Sequence, residues 1–97
     1  MTRERADAYQ RVMQTLRELG PSKLAAGEQE RIREAVDSLL FATSLDRDPA
    51  ARRALADVRE LIGLLIDSGR WEASTALRLL DDIAACGPGH SPVLEAA

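Results

Sequence analysis

Hydrophobic and polar positions along this chain recur with the 3.6-residue period of an α-helix, in four segments separated by turn-forming residues. The separators are Gly20-Pro21, Asp46 to Pro49, Ser68-Gly69 and Gly87-Pro88-Gly89. Between them no stretch alternates with the two-residue period of a strand, and β-branched residues never cluster. The pattern therefore predicts an all-α protein with four helices.

Residues that favour helix ends predict where each helix begins and ends. The first predicted helix runs from about Arg3 to Leu19, the second from about Glu28 to Thr43, the third from Pro49 to about Asp67, and the fourth from about Glu72 to Cys86. Thr2 can cap the first helix, and Asp48 can cap the third because its carboxylate accepts hydrogen bonds from free amides.

The segment 20–27 is predicted to be an irregular connection between the first two helices. Gly20 can adopt the left-handed conformation that closes a helix, and Pro21 prevents continuation. Ser22 and Gly27 are both candidate caps for the second helix, with a short extra turn expected at 22–26.

An apolar stripe on each helix predicts which side faces the core. The predicted inward positions are Ala6, Tyr9, Val12, Met13, Leu16 and Leu19 in the first helix, Ile32, Ala35, Val36, Leu39 and Thr43 in the second, Leu55, Val58, Leu61, Ile62, Leu65 and Ile66 in the third, and Ala73, Ala76, Leu77, Leu80, Ile83 and Ala84 in the fourth. We therefore expect one domain over residues 1–89, a small antiparallel four-helix bundle, followed by a loose, flexible C-terminal tail at 90–97.

Three apolar side chains fall outside these stripes. Phe41 points toward the polar side of the second helix, Leu64 lies about 130° from the centre of the third helix's stripe, and Leu79 lies on a flank of the fourth with Cys86. Gly63, beside Leu64, would let another helix approach closely. Several exposed apolar residues on one side would form a patch of the kind that marks a partner surface, whereas a single one needs no explanation.

Composition limits the chemistry that the chain can support. The net charge is −3, and the chain contains one cysteine, one histidine and no apolar run long enough for a signal peptide or a membrane span. We therefore expect a cytoplasmic protein without an internal disulfide, without cofactors and without enzymatic activity, since His90 lies in a Gly/Pro-rich segment that cannot position a base.

Two alternatives to an interaction protein stay open. A metal- or ligand-binding bundle could use Cys86 and His90 as half of a zinc site that a dimer completes, but half a site gives no spacing to test. The adjacent acids Asp81 and Asp82 diverge by about 100° and are expected to be solvated near Arg78.

A helix-turn-helix-like transcription regulator using the third and fourth helices is the other alternative. The resemblance to that motif is loose and covers about 20 residues around Gly69. The fourth predicted helix would be the recognition helix, and Arg78 is its only cation. Nucleic acid is therefore an unlikely partner. We expect a small regulatory or interaction module that binds a second copy of itself or another protein through Leu64, Gly63, Phe41 and Leu79.

Overall fold

Four helices make up the protein in a computed structural model, which describes residues 2–88 without the side chains of residues 21 and 22. They are α1 (Arg3–Lys23), α2 (Ala26–Phe41), α3 (Pro49–Asp67) and α4 (Ala73–Ala85). No strand occurs within 2–88, so the predicted all-α fold with four helices is confirmed.

Two of the predicted caps are present. The Thr2 hydroxyl accepts a hydrogen bond from the Arg5 amide at 3.2 Å, and the Asp48 carboxylate accepts one from the Ala51 amide at 3.0 Å. Each satisfies an amide in the first turn that has no partner within its helix. Pro49 is the first residue of α3, where its missing N–H costs nothing.

The start and end of α2 differ from the prediction. The helix begins after Ala25, so neither Ser22 nor Gly27 is its cap, and the Glu28 carboxylate reaches back to the Ala25 amide at 2.9 Å. It ends at Phe41, which leaves Thr43 outside the helix and exposed rather than in the core. Ala42 is buried instead.

The connection between α1 and α2 is shorter than predicted. Gly20 has a φ of +66°, in the left-handed region that glycine tolerates, but helical structure resumes after it and continues to Lys23. The extra turn therefore exists and ends earlier than expected. Leu24, which follows it, is fully buried.

The helices surround a single apolar core. The most extensive contacts join α2 to α3 and α1 to α4, while α1 and α3 make no close backbone contact. The radius of gyration is 13.0 Å, close to the value of about 13 Å for a folded chain of 100 residues. These contacts fit a bundle, and the antiparallel arrangement of its helices stays a prediction.

Most predicted core positions of the first three helices are buried. They include Val12 and Leu16 of α1, Ile32, Ala35, Val36 and Leu39 of α2, and Leu55, Val58, Leu61, Ile62 and Leu65 of α3. Sequence reasoning missed Ala8, Ala51 and Trp71, all of which are buried.

Arg5 joins the beginning of α1 to the ends of two other helices. Its guanidinium donates hydrogen bonds to the carbonyls of Leu39, Leu40 and Ala42 at 2.7, 2.9 and 3.1 Å, and to that of Cys86 at 2.8 Å. Carbonyls at the end of a helix lack partners and carry the negative end of the helix dipole, so a cation there is favourable. This contact fixes the start of α1 against the ends of α2 and α4.

The start of α2, at the other end of the helix from the Arg5 contact, is held by the turn between α3 and α4. The buried Trp71 ring donates from Nε1 to the Lys23 carbonyl at 2.8 Å, and the Arg70 guanidinium binds both oxygens of Glu28. Glu28 also accepts a hydrogen bond from the amide of Ala25, the residue before α2, so one carboxylate joins the turn to the helix start. Such bidentate pairs combine strength with a fixed geometry.

Replacing Arg5 by Met removes the donor but keeps a long apolar side chain. We expect the free energy of unfolding to fall by about 2–4 kcal/mol, because several partly buried carbonyls lose a charged donor. Urea unfolding followed by circular dichroism, at a concentration where the chain is monomeric, measures the change. Arg3→Met, at an exposed position two residues earlier, is the matched control and should change stability by less than about 0.5 kcal/mol. Equal losses in the two variants would contradict the role given to Arg5.

Candidate interaction surface

The structure exposes two of the apolar residues that the sequence placed outside the core. Phe41 is 84% exposed and Leu64 is 58% exposed. Gly63 is half-buried, and a Cβ added to it would meet no atom within 4 Å, so the space beside it is open. These three positions remain candidates for a contact with another molecule.

Leu79, the fourth predicted surface residue, is in the core. It is 1% exposed and lies on the inner face of α4 with Ala76, Ile83 and Cys86. The expectation that Leu79 lies on an outer flank is therefore wrong. Leu77, predicted to be inside, is 55% exposed instead.

An ion pair joins the side of α4 that carries the buried Leu79 to α1. Arg11 Nε lies 2.9 Å from Asp82 Oδ1, which directs this side of α4 toward α1. Leu79 precedes Asp82 by three residues and Cys86 follows it by four, so all three share a helix face. The expectation that Asp82 is a solvated acid near Arg78 is wrong for the same reason.

A groove of about 370 Å³ runs along the surface between α2 and α3. We call it the α2/α3 groove, and its lining residues are Arg31, Glu34, Ala35 and Ser38 of α2 and Ala50, Arg53, Ala54 and Asp57 of α3. Small side chains from both helices alternate with charged ones. The groove is therefore a concave strip of short side chains with charged groups along it.

Phe41 and Leu64 lie on the helix faces that form this groove. Phe41 follows Ser38 by three residues and Glu34 by seven, which places it on the same face of α2. Leu64 follows Asp57 by seven residues on α3, which again is two helical turns on one face. The two most exposed large apolar residues thus continue the two walls of the α2/α3 groove.

The charges of the groove are only partly paired within the chain. Arg31 binds Asp57 across the groove, with 2.8 Å between Nη2 and Oδ1. Glu34 and Arg53, on opposite walls, are both exposed and form no ion pair within residues 2–88. One acid and one base are therefore available to a partner.

Possible metal ligands do not cluster in the part of the chain from 2 to 88. No group of three or more His, Cys, Asp or Glu residues there could hold a metal ion. His90, the second member of the zinc pair considered from the sequence, lies outside the described residues. Within 2–88, none of the helices is long and apolar enough to cross a membrane.

Two neighbouring arginines near the start of α3 have contacts within the chain. Arg52 donates to the carbonyls of Leu45 and Asp46 and so holds the loop before α3. Arg53 lines the α2/α3 groove beside Asp57.

Comparison of the chain with protein-family models, with curated proteins and with solved structures found no match.

Cys86 is a buried thiol in a position unsuited to reaction. It is fully buried, and its Sγ donates to the Asp82 carbonyl at 3.4 Å. Burial, reinforced by the charge of Asp82 and opposed by Arg11 and Arg5, raises the pKa of Cys86 from its ordinary 9.0 to about 11. The thiolate, which is the reactive and metal-binding form, is therefore disfavoured at neutral pH.

The raised pKa of Cys86 predicts a loss of stability at high pH. The unfolded thiol releases its proton near pH 9, whereas the native thiol holds its proton to about pH 11, so stability falls as pH rises through this range. We expect the difference in unfolding free energy between the natural chain and Cys86→Ala to shrink between pH 8 and pH 11, by an amount on the order of 2 kcal/mol. Urea titrations of both proteins measure it. A difference independent of pH would contradict the burial of the thiol.

Proposed function

We propose that the protein is a small interaction module that acts by binding a second copy of itself and carries out no catalysis. The observation that supports this proposal is the exposure of Phe41, Leu64 and Leu77 on a chain of only 97 residues. Small domains bury a limited share of their apolar surface, and association with another chain is a common means of covering the remainder.

The position of two of these residues also supports the proposal. Phe41 and Leu64 continue the walls of the α2/α3 groove, whereas scattered exposed apolar residues need no functional explanation. Aromatic residues are enriched in protein interfaces, where a ring contributes a large contact area at a low cost in side-chain entropy. A ring that is 84% exposed contributes no such area within its own chain.

Binding to a second copy is preferred here to binding an unrelated protein because the groove carries both signs of charge. A surface of one sign would repel its own copy, whereas Glu34 and Arg53 can each meet the other residue in a second chain. The alternatives of a DNA-binding regulator and a metal-binding bundle gain no supporting observation among residues 2–88.

The proposal predicts a mass near twice the chain mass of 10.6 kDa in light scattering at micromolar concentration. Leu64→Glu is expected to shift the protein toward the monomer while leaving its helical circular dichroism unchanged. The physical reason is that burying an unpaired carboxylate in an interface costs several kcal/mol. Ala56→Glu, also exposed on α3, is the matched control and should leave the mass unchanged. A monomeric natural chain at every concentration would contradict the proposal.

A further inference from the structure

We infer that the α2/α3 groove, together with Phe41 and Leu64 that continue its walls, is the surface through which two copies of the chain bind one another about a two-fold axis. This inference rests on the proposed function and deepens it by naming the surface and its pairing. Two-fold interfaces are self-complementary. A single patch must therefore carry shapes that fit one another and charges of opposite sign that can pair.

The shape of the groove fits the ring of Phe41 from a second copy. The floor is made of short side chains, including Ala35, Ser38 and Ala54, which leave a volume of about 370 Å³. Benzene binds in an engineered protein cavity of about 150 Å³, so a phenyl ring has ample space here. Phe41 lies one turn beyond the groove on α2, so each chain presents both the ring and a receiving groove.

The charges of the groove are complementary to those of its own copy. Glu34 is on the α2 wall and Arg53 is on the α3 wall, and neither forms an ion pair within residues 2–88. In a two-fold dimer, Glu34 of each chain meets Arg53 of the other. The symmetry repeats this contact, so the interface contains two ion pairs. Arg31 and Asp57 already satisfy one another and need no partner from the second chain.

The two charges allow a test that depends on contacts between chains. In Glu34→Arg the dimer would hold two pairs of facing arginines, and in Arg53→Glu two pairs of facing glutamates. We expect each variant alone to raise the dimer dissociation constant by about tenfold or more, as measured by sedimentation velocity over a dilution series. Circular dichroism checks that both variants keep the helical fold.

Mixing the two variants gives the decisive result. One chain then has only arginines at these positions and the other only glutamates, so both contacts become favourable and a heterodimer is expected to form. The rescue should weaken as salt is added, because exposed ion pairs are screened. A contact within one chain cannot produce this rescue.

A matched mixture controls for net charge. Arg33→Glu makes the same charge change as Arg53→Glu at an exposed site on α2 that does not line the groove. Arg33→Glu keeps both Glu34–Arg53 contacts and still dimerises with itself, so the heterodimer is what must be measured in each mixture. With Glu34→Arg, its heterodimer has one favourable and one repulsive facing pair and is expected to be weaker than the heterodimer with Arg53→Glu. Rescue by this mixture as strong as by the Arg53→Glu mixture would overturn the proposed pairing.

The remaining outcomes separate this inference from the function on which it rests. If both single variants stay dimeric but Leu77→Glu is monomeric, the interface lies on α4. This result would overturn the groove as the interface and leave self-association standing. Loss of the dimer in both variants without rescue on mixing would overturn the Glu34–Arg53 pairing. A natural chain that is monomeric throughout would overturn both the function and the surface.

Discussion

The guanidinium of Arg5 holds three helices together, and the rest of the bundle is arranged around that contact. It binds the carbonyls of Leu39, Leu40 and Ala42 at the end of α2 and that of Cys86 after α4. Two helix ends, each with unpaired acceptors and the negative end of a dipole, therefore converge on one cation. If the start of α1 moved away, these partly buried carbonyls would lose their charged donor.

The ion pair between Arg11 and Asp82 lies on the side of α4 that packs against α1. With α4 held against α1 through Asp82, the Leu79 side of α4 is buried and Leu77 is left outside. Among the helix pairs, α2 and α3 contact one another most extensively, and their outer faces form the groove. The α2/α3 groove thus lies between the two helices that pack together most extensively.

Local sequence patterns predict the helices well because their causes are local. The apolar periods of the first three helices, the caps at Thr2 and Asp48 and the left-handed Gly20 all depend on neighbours within a few residues. The exposed Phe41 and Leu64 could also be read from the sequence, since an apolar residue outside a clear stripe has no place in the core.

The features that escaped prediction depend on contacts between distant residues. Helix α4 carries apolar side chains on two adjoining faces, so Leu77 and Leu79 are equally good core candidates in the sequence. Only the packing of α4 against α1 and α3, which are distant in the chain, places Leu79 inside. In the same way, nothing near Arg5 indicates that its side chain binds the ends of two other helices. The groove requires knowledge of how α2 and α3 are packed, which neither helix contains alone.

The face formed by α2 and α3, on a bundle fixed by Arg5, is the surface proposed to join two copies. Hydrogen–deuterium exchange of the natural chain, measured at high concentration and after dilution below the dimer dissociation constant, tests this claim directly. If two copies meet at this face, dilution accelerates exchange in peptides covering the lining residues of the groove and Phe41. Peptides from α1 and α4 exchange at the same rate in both samples. Faster exchange confined to the α4 peptide that contains Leu77, or no change anywhere in a chain that does dimerise, would contradict it.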